Sequence, residues 1–316
     1  MRVAVLGGGH GAYAAAADLG SAGHEVRLWR RASGELVPVR NAGGLTVVVN
    51  ERRNRVGLTV VAELAEAVAG ADVIVAAVPG TAHADLAARL APHLDAAQVV
   101  VVTTGTLGGL LMAREITRLR GKLPQAFVET GTRAYRAVKT GPAEVKIVTK
   151  AATLPVAVFP AARAAALGPV SQLFAGTRRC ADVLDAALLD GGPVIHPALV
   201  LLNLGAIDQG RPIDPANPTP SARQLIGMVD AERLAARAGW GYPKLAYEIL
   251  ADDATGPVTL EHRYVVEDAA LGLSLFESAA RTVGAETPAI SGLLLVFTAL
   301  LGRPLSGRGR ALEHLG

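Results

Sequence analysis

The stretch Val3-Ala4-Val5-Leu6-Gly7-Gly8-Gly9-His10-Gly11-Ala12 decides the fold. Four apolar residues, the length of a short buried strand, run straight into glycines, and an alanine-rich helical pattern follows to about residue 22. The glycines match G-x-G-x-x-A. Gly7 allows a tight turn, Gly9 lets a phosphate approach the backbone, and Ala12 permits close packing of the helix on the strand. His10 and Gly11 open that helix, whose unpaired N–H groups and positive dipole end favour an anion. A second run at residues 24–29 reads as a strand and completes a strand–turn–helix–strand unit. In that context the glycines predict a dinucleotide site; the same motif alone is also a plain glycine-rich turn.

At the end of the second run, an NAD-selective site carries Asp or Glu for the ribose hydroxyls. Here stand Arg30 and Arg31, followed by Ser33. Two guanidiniums with no acid at that point suit a 2′-phosphate, so the expected cofactor is NADP(H). Ligands of open α/β sheets bind beyond the carboxyl ends of the strands, so Val78 and Pro79, and Thr104 and Gly105, are expected to border the nicotinamide half.

Further apolar runs occur at residues 73–78, 99–103, 126–129, 145–148 and 156–159, separated by helical patterns such as 84–94. Continuously apolar strands alternating with helices predict a parallel sheet covered on both faces. The expected fold is therefore α/β, a doubly wound parallel-sheet Rossmann domain over residues 1–178. Strand-like runs then stop, and helical patterns at 197–207, 220–239, 242–250, 265–283 and 287–301 predict an all-α C-terminal domain over 179–316. Residues 209–220, with four prolines, read as a surface loop.

Composition excludes several classes. With 316 residues, 51% hydrophobic and 19% charged, the chain is long and apolar enough for real cores and too apolar for disorder. Thirty-one basic residues against 28 acidic ones give +3, and with only 4% aromatics there is no basic stripe interleaved with stacking rings, which argues against nucleic acid. The apolar run at 293–301 falls far short of the roughly 20 residues of a membrane span. A lone cysteine, Cys180, excludes an intramolecular disulfide, and the chain reads as cytoplasmic. No compact ligand spacing suggests a metal.

The C-terminal half supplies more specific elements. Gly192-Pro193-Val194-Ile195-His196-Pro197-Ala198 leads into an apolar segment, and His262-Arg263-Tyr264-Val265-Val266-Glu267-Asp268 opens another. With Glu129-Thr130, Tyr135-Arg136 and Gly307-Arg308-Gly309-Arg310, these resemble the octopine/nopaline (opine) dehydrogenase family over nearly the whole chain. The resemblance implies reductive condensation of a 2-oxo acid with the amine of an amino acid through an imine, with His196 as catalytic histidine, Asp268 as its carboxylate partner and Arg263 as the guanidinium holding the oxo-acid carboxylate. By analogy it also implies a homodimer, with residues 290–301 fitting either core or interface.

The residue types suit these roles: histidine exchanges protons near neutrality, an aspartate fixes its tautomer, and arginine clamps a carboxylate through two parallel hydrogen bonds. A carboxylate early in a helix also favours the dipole, the plainer reading of Asp268. Arg263 and Asp268, five apart, do not share a face of an α-helix, so Arg263 is expected to precede the helix and Asp268 to lie in its first turn. Gly192 stands where family members often carry Asn, which leaves the amine partner open. Two other readings are a reductase of a preformed imine or a ketone, whose known forms lean on a lysine in the helical domain, and a non-catalytic NADPH-binding sensor. Beyond Lys150 the chain has only Lys244.

Overall fold

A computed structural model of the chain describes residues 1–211, 213–250, 259–305 and 310–315. The chain divides into two compact units, Met1–Ala186 and Ala187–Gly316. A division at 178 falls too early, because the strand Thr177–Arg179 still pairs with the main sheet of the first unit.

That sheet is built from β1 (Arg2–Leu6), β2 (Glu25–Trp29), β5 (Thr59–Val60), β6 (Val73–Ala76), β7 (Val99–Val102), β8 (Ala126–Thr130), β11 (Leu154–Phe159) and β12 (Thr177–Arg179). Its order is β12-β11-β8-β7-β6-β1-β2-β5. From β5 through β8 all pairs are parallel, and chain order reverses between β1 and its neighbours β2 and β6. This is the doubly wound α/β arrangement, with its ligand crevice at the reversal. The run at 156–159 does join this sheet, but β11 runs antiparallel to β8.

The strands are apolar on both faces because both are covered. Val3 and Val5 meet Tyr13 and the buried alanines of the His10–Ser21 helix, while Ala4 and Leu6 pack with Ile74 and Leu86 on the other side.

Residues 145–148, expected in the parallel sheet, belong elsewhere. They lie in β10 (Glu144–Lys150), part of a second sheet with β3 (Gly44–Val49), β4 (Arg52–Gly57) and β9 (Tyr135–Gly141), in the order β4-β3-β10-β9. Val145 and Ile147 are buried while Lys146 is less so, the period-2 signature of a strand with one covered face. The covering element is the His10–Ser21 helix, whose small side chains let it lie against both sheets.

The second unit is helical, with Gly192–Leu201, Leu204–Asp208, Pro220–Gly239, Ser274–Thr282, Pro288–Leu301 and Leu312–Leu315 as α-helices and Tyr264–Leu273 wound as a π-helix. The expected helix at 197–207 begins earlier, with Pro193 in its first turn, and breaks near Asn203. The expected helix at 265–283 changes winding at Leu273.

Residues 242–250 form no helix. They run as irregular chain bridged at Glu248 to Asp190, because their carbonyls are taken by two buried arginines. Arg233 donates to the Leu245 and Leu188 carbonyls (2.8 and 2.7 Å) and to Asp230, and Arg237 donates to the Pro243 carbonyl (3.0 Å). Of residues 290–301, Ile290, Leu293, Leu294 and Phe297 are core, while Leu295, Val296 and Leu300 are exposed. Among the described residues no helix is long and apolar enough to cross a membrane.

Removing Arg233 leaves the Leu188 and Leu245 carbonyls and the part-exposed Asp230 carboxylate without their guanidinium partner. Arg233→Met is expected to cost the folded state about 3–5 kcal/mol, read as a lowered urea midpoint in the helical signal; a change under about 1 kcal/mol would mean the guanidinium does not organise the segment.

Candidate active site

In the first unit, the Gly7-to-Ala12 turn carries the geometry that a dinucleotide requires. Gly7 sits at φ +144°, and a Cβ there would run into the Ala77 carbonyl oxygen. Open space surrounds Gly9, and the helix it precedes has neither a side-chain cap nor an acid in its first turn. The first-turn N–H donors are thus left for a ligand, and the cradle fits a pyrophosphate.

The arginine pair departs from expectation. The Arg30 guanidinium lies across Gly8, where a Cβ would stand 2.7–2.8 Å from its atoms, and it pairs with Glu35 at 2.6 Å. Arg31 meets Asp85 at 3.4 Å. The expectation of no acid beside the arginines is therefore corrected: Glu35 follows in the short turn Ser33–Leu36 that Ser33 opens, and Asp85 comes from a separate helix.

At the ends of β6 and β7, Val78, Pro79, Thr104 and Gly105 lie at the same edge of the sheet as the glycine turn. Thr104, Thr106 and Leu107 all hold positive φ (55°, 46° and 58°), conformations costing on the order of 1–3 kcal/mol each. Thr104 N–H donates to Thr130 Oγ1 and Gly105 N–H to the Thr130 carbonyl. Beneath this loop lie two buried side chains, His83 and Glu129, with Glu129 Oε1 accepting the Leu110 N–H at 3.0 Å. A Cβ at Gly105 or Gly109 would strike Glu129, and one at Gly108 would strike His83. Sequence reasoning missed this support; its local trace is the glycine spacing at 105, 108 and 109.

In the second unit, His196, Asp268 and Arg263 come together. His196 Nδ1 lies 2.7 Å from Asp268 Oδ2, both residues buried, and Arg263 Nη1 is 3.8 Å from the same oxygen. The Tyr264 ring stacks on the imidazole at 3.7 Å and 7°, Arg263 lies over its ring at 5.1 Å, and His262 meets it edge-on.

The π winding explains the spacing. A π-helix closes its hydrogen bonds over five residues, so positions i and i+5 return to one side. Arg263, just before the helix, and Asp268 within it therefore converge, although an α-helix would part them. Gly192 fits the same cluster, since a Cβ there would press within 2.9 Å of Asp268 Oδ1. Of the C-terminal resemblance, Gly307 to Gly309 lie outside the described residues.

Beside His196 opens a cavity of about 520 Å³, walled by Ile195, Ile226, Tyr247 and Ile249, with Asp230 and Arg223 as its charged groups. Lys244 is exposed and does not line it.

The chain matches the model of the NAD-dependent glycerol-3-phosphate dehydrogenase N-terminus over residues 2–143. It is 28% identical over 255 residues to an opine dehydrogenase of Arthrobacter sp. (strain 1C), covering 73% of this chain and 71% of that protein. Its fold is similar to that of octopine dehydrogenase solved with NADH and pyruvate, at TM-score 0.75 and 18% identity over 100% of this chain and 95% of that one. Yersinopine dehydrogenase with NADP+ aligns at TM-score 0.68 and 15% identity over 99% and 93%. The chain is thus a nicotinamide-dependent oxidoreductase with an α/β dinucleotide-binding unit and a helical C-terminal unit. Within that class it is opine dehydrogenase-like.

The Tyr264 stack should be measurable on its own. Tyr264→Leu keeps an apolar body but loses the ring pair, and it is expected to cost about 0.5–1.5 kcal/mol beyond burial, seen as a lower thermal midpoint; an unchanged midpoint would show the ring contact to be incidental.

Proposed function

We propose that this chain is an NADP(H)-dependent opine-type dehydrogenase that condenses a small 2-oxo acid with the amino group of an amino acid and reduces the resulting imine. The observation that carries this reading is the buried His196–Asp268 pair with Arg263 beside it and a cavity opening at the imidazole.

In this reading Asp268 accepts a hydrogen bond from Nδ1–H and leaves the Nε2 lone pair to work. Nε2 takes a proton from the attacking amine as the C–N bond forms and passes it to the former carbonyl oxygen, giving the carbinolamine; a second proton, drawn from solvent through the imidazole, goes to that hydroxyl, which leaves as water as the nitrogen lone pair forms the C=N bond of the protonated imine. Asp268 is a positioning residue, stabilising the imidazolium between the two transfers. Arg263 holds the carboxylate of the oxo acid through its guanidinium fork and fixes the reacting carbon. The apolar cavity gives room to the amine's side chain. When bound, the reduced cofactor supplies the hydride that converts imine to secondary amine, and the turn at Gly7, Gly9, His10, Gly11 and Ala12 would hold its pyrophosphate. Arg30, Arg31 and Ser33 stand on the ribose side, and Val78, Pro79, Thr104 and Gly105 on the nicotinamide side.

The exposed position of Lys244 favours this reading over a lysine-dependent carbonyl reductase. We also read the protein as a cytoplasmic homodimer, for which Leu295, Val296 and Leu300 offer an apolar face.

The test follows NADPH absorbance in a matrix of 2-oxo acids crossed with amino acids and simple amines. Oxidation is expected only where both partners are present. Turnover with an oxo acid alone would make the protein a carbonyl reductase, and cofactor binding without turnover of any pair would favour a sensor. His196→Ala is expected to lower the rate by about 10²–10⁴ with folding intact, and a loss below about fivefold would remove His196 from the mechanism.

A further inference from the structure

We infer that Lys139, carried by β9 of the small sheet, is the cation that selects a phosphorylated ribose at the glycine turn. The inference rests on the NADP(H) reading above and assigns it to a residue from outside the strand–turn–helix–strand unit.

The alternation of β9 turns Tyr135, Ala137 and Lys139 inward while Val138 and Thr140 are exposed. A lysine on a covered face calls for a reason. The backbone N–H of Lys139 donates to His10 Nδ1 at 2.8 Å, which ties the strand to the first residue of the helix. Its Nζ reaches the Gly8 carbonyl at 3.2 Å and sits 4.0 Å above the Tyr13 ring. Arg30 lies across the Cα of the same glycine. Two cations therefore converge on Gly8 from different sheets.

The balance of charge singles out Lys139. Arg30 is paired with Glu35, while Arg31 is an exposed side chain that shares the Asp85 carboxylate with Arg89. Lys139 has a carbonyl and a π face as partners, and no carboxylate in ion-pair contact among the described residues. Burial, and next to it the charge of Arg30, push the Lys139 pKa down, against an opposing pull from Glu35. An incoming phosphate dianion would reverse that penalty, and a bare ribose would not. The His10 bond fixes the Lys139 backbone, and the Gly8 carbonyl and Tyr13 ring hold its ammonium beforehand, so little freedom is lost on binding.

The experiment is calorimetric titration of the full-length wild type, Lys139→Met and Lys139→Arg with NADPH, NADH, adenosine 2′,5′-bisphosphate and adenosine 5′-monophosphate. In Lys139→Met, affinity for NADPH and the bisphosphate is expected to fall about 10- to 100-fold, the worth of one charge-assisted hydrogen bond. NADH and the monophosphate are expected to stay within about twofold, which also reports an intact turn. Lys139→Arg is expected to keep most of the selectivity. Equal losses for all four ligands would place Lys139 on the pyrophosphate and overturn the assignment, as would unchanged affinities. A wild type that binds NADPH no better than NADH would instead overturn the cofactor reading itself, whatever the variants do.

Discussion

Burying the Asp268 carboxylate constrains the whole helical unit. An ionised group taken from water must be met by charge or hydrogen bonds, or the fold loses several kcal/mol. Asp268 is met by His196 at 2.7 Å, with Arg263 just beyond hydrogen-bond range. Each neighbouring peculiarity serves that meeting. The π winding of Tyr264–Leu273 turns Arg263 and Asp268 to one side. Gly192 leaves room for the carboxylate, and Tyr264 roofs the imidazole and underlies the guanidinium. An α-helical turn at 264–268 would part Arg263 from Asp268, and a Cβ at 192 would crowd Asp268 Oδ1. An imidazole held by a carboxylate has one fixed tautomer and one working nitrogen, which is what the proposed chemistry requires.

The dinucleotide unit meets its own constraint with small residues. Gly7 clears the Ala77 carbonyl, the alanines of the first helix let two sheets close on it, and Gly105, Gly108 and Gly109 seat a strained loop on His83 and Glu129. Strain of this kind persists only where neighbours over-determine the backbone. Here Thr130 takes two of the loop's amides and Glu129 a third at the start of the following helix. The result is a rigid edge at the carboxyl ends of β6 and β7, where a doubly wound sheet receives the reactive half of its ligand.

Local signals made the main sheet legible. The strand–glycine–helix order of residues 3–22 and the wholly apolar runs at 73–76 and 99–102 each declare themselves within a few residues. Val145 and Ile147 were harder, since a short apolar run does not reveal which sheet it joins. Residues 242–250 look helical by pattern, and only the buried Arg233 and Arg237 reveal why they stay irregular. His196 and Asp268 are 72 residues apart, so their pairing was readable through family resemblance alone. The five-residue gap from Arg263 argued against a shared helix face because α geometry was assumed. Lys139 stands 129 residues from His10 and left no motif; its trace is an inward lysine in an alternating strand.

If His196 and Asp268 handle the proton as one unit, a double-mutant cycle on kcat/KM reveals it. With His196→Ala, Asp268→Ala and the double variant, all checked for folding, strong non-additivity is expected: once His196 is gone, removing Asp268 changes the rate by no more than about twofold. Losses that multiply across the cycle would show instead that the two residues contribute independently and do not form a proton-handling pair.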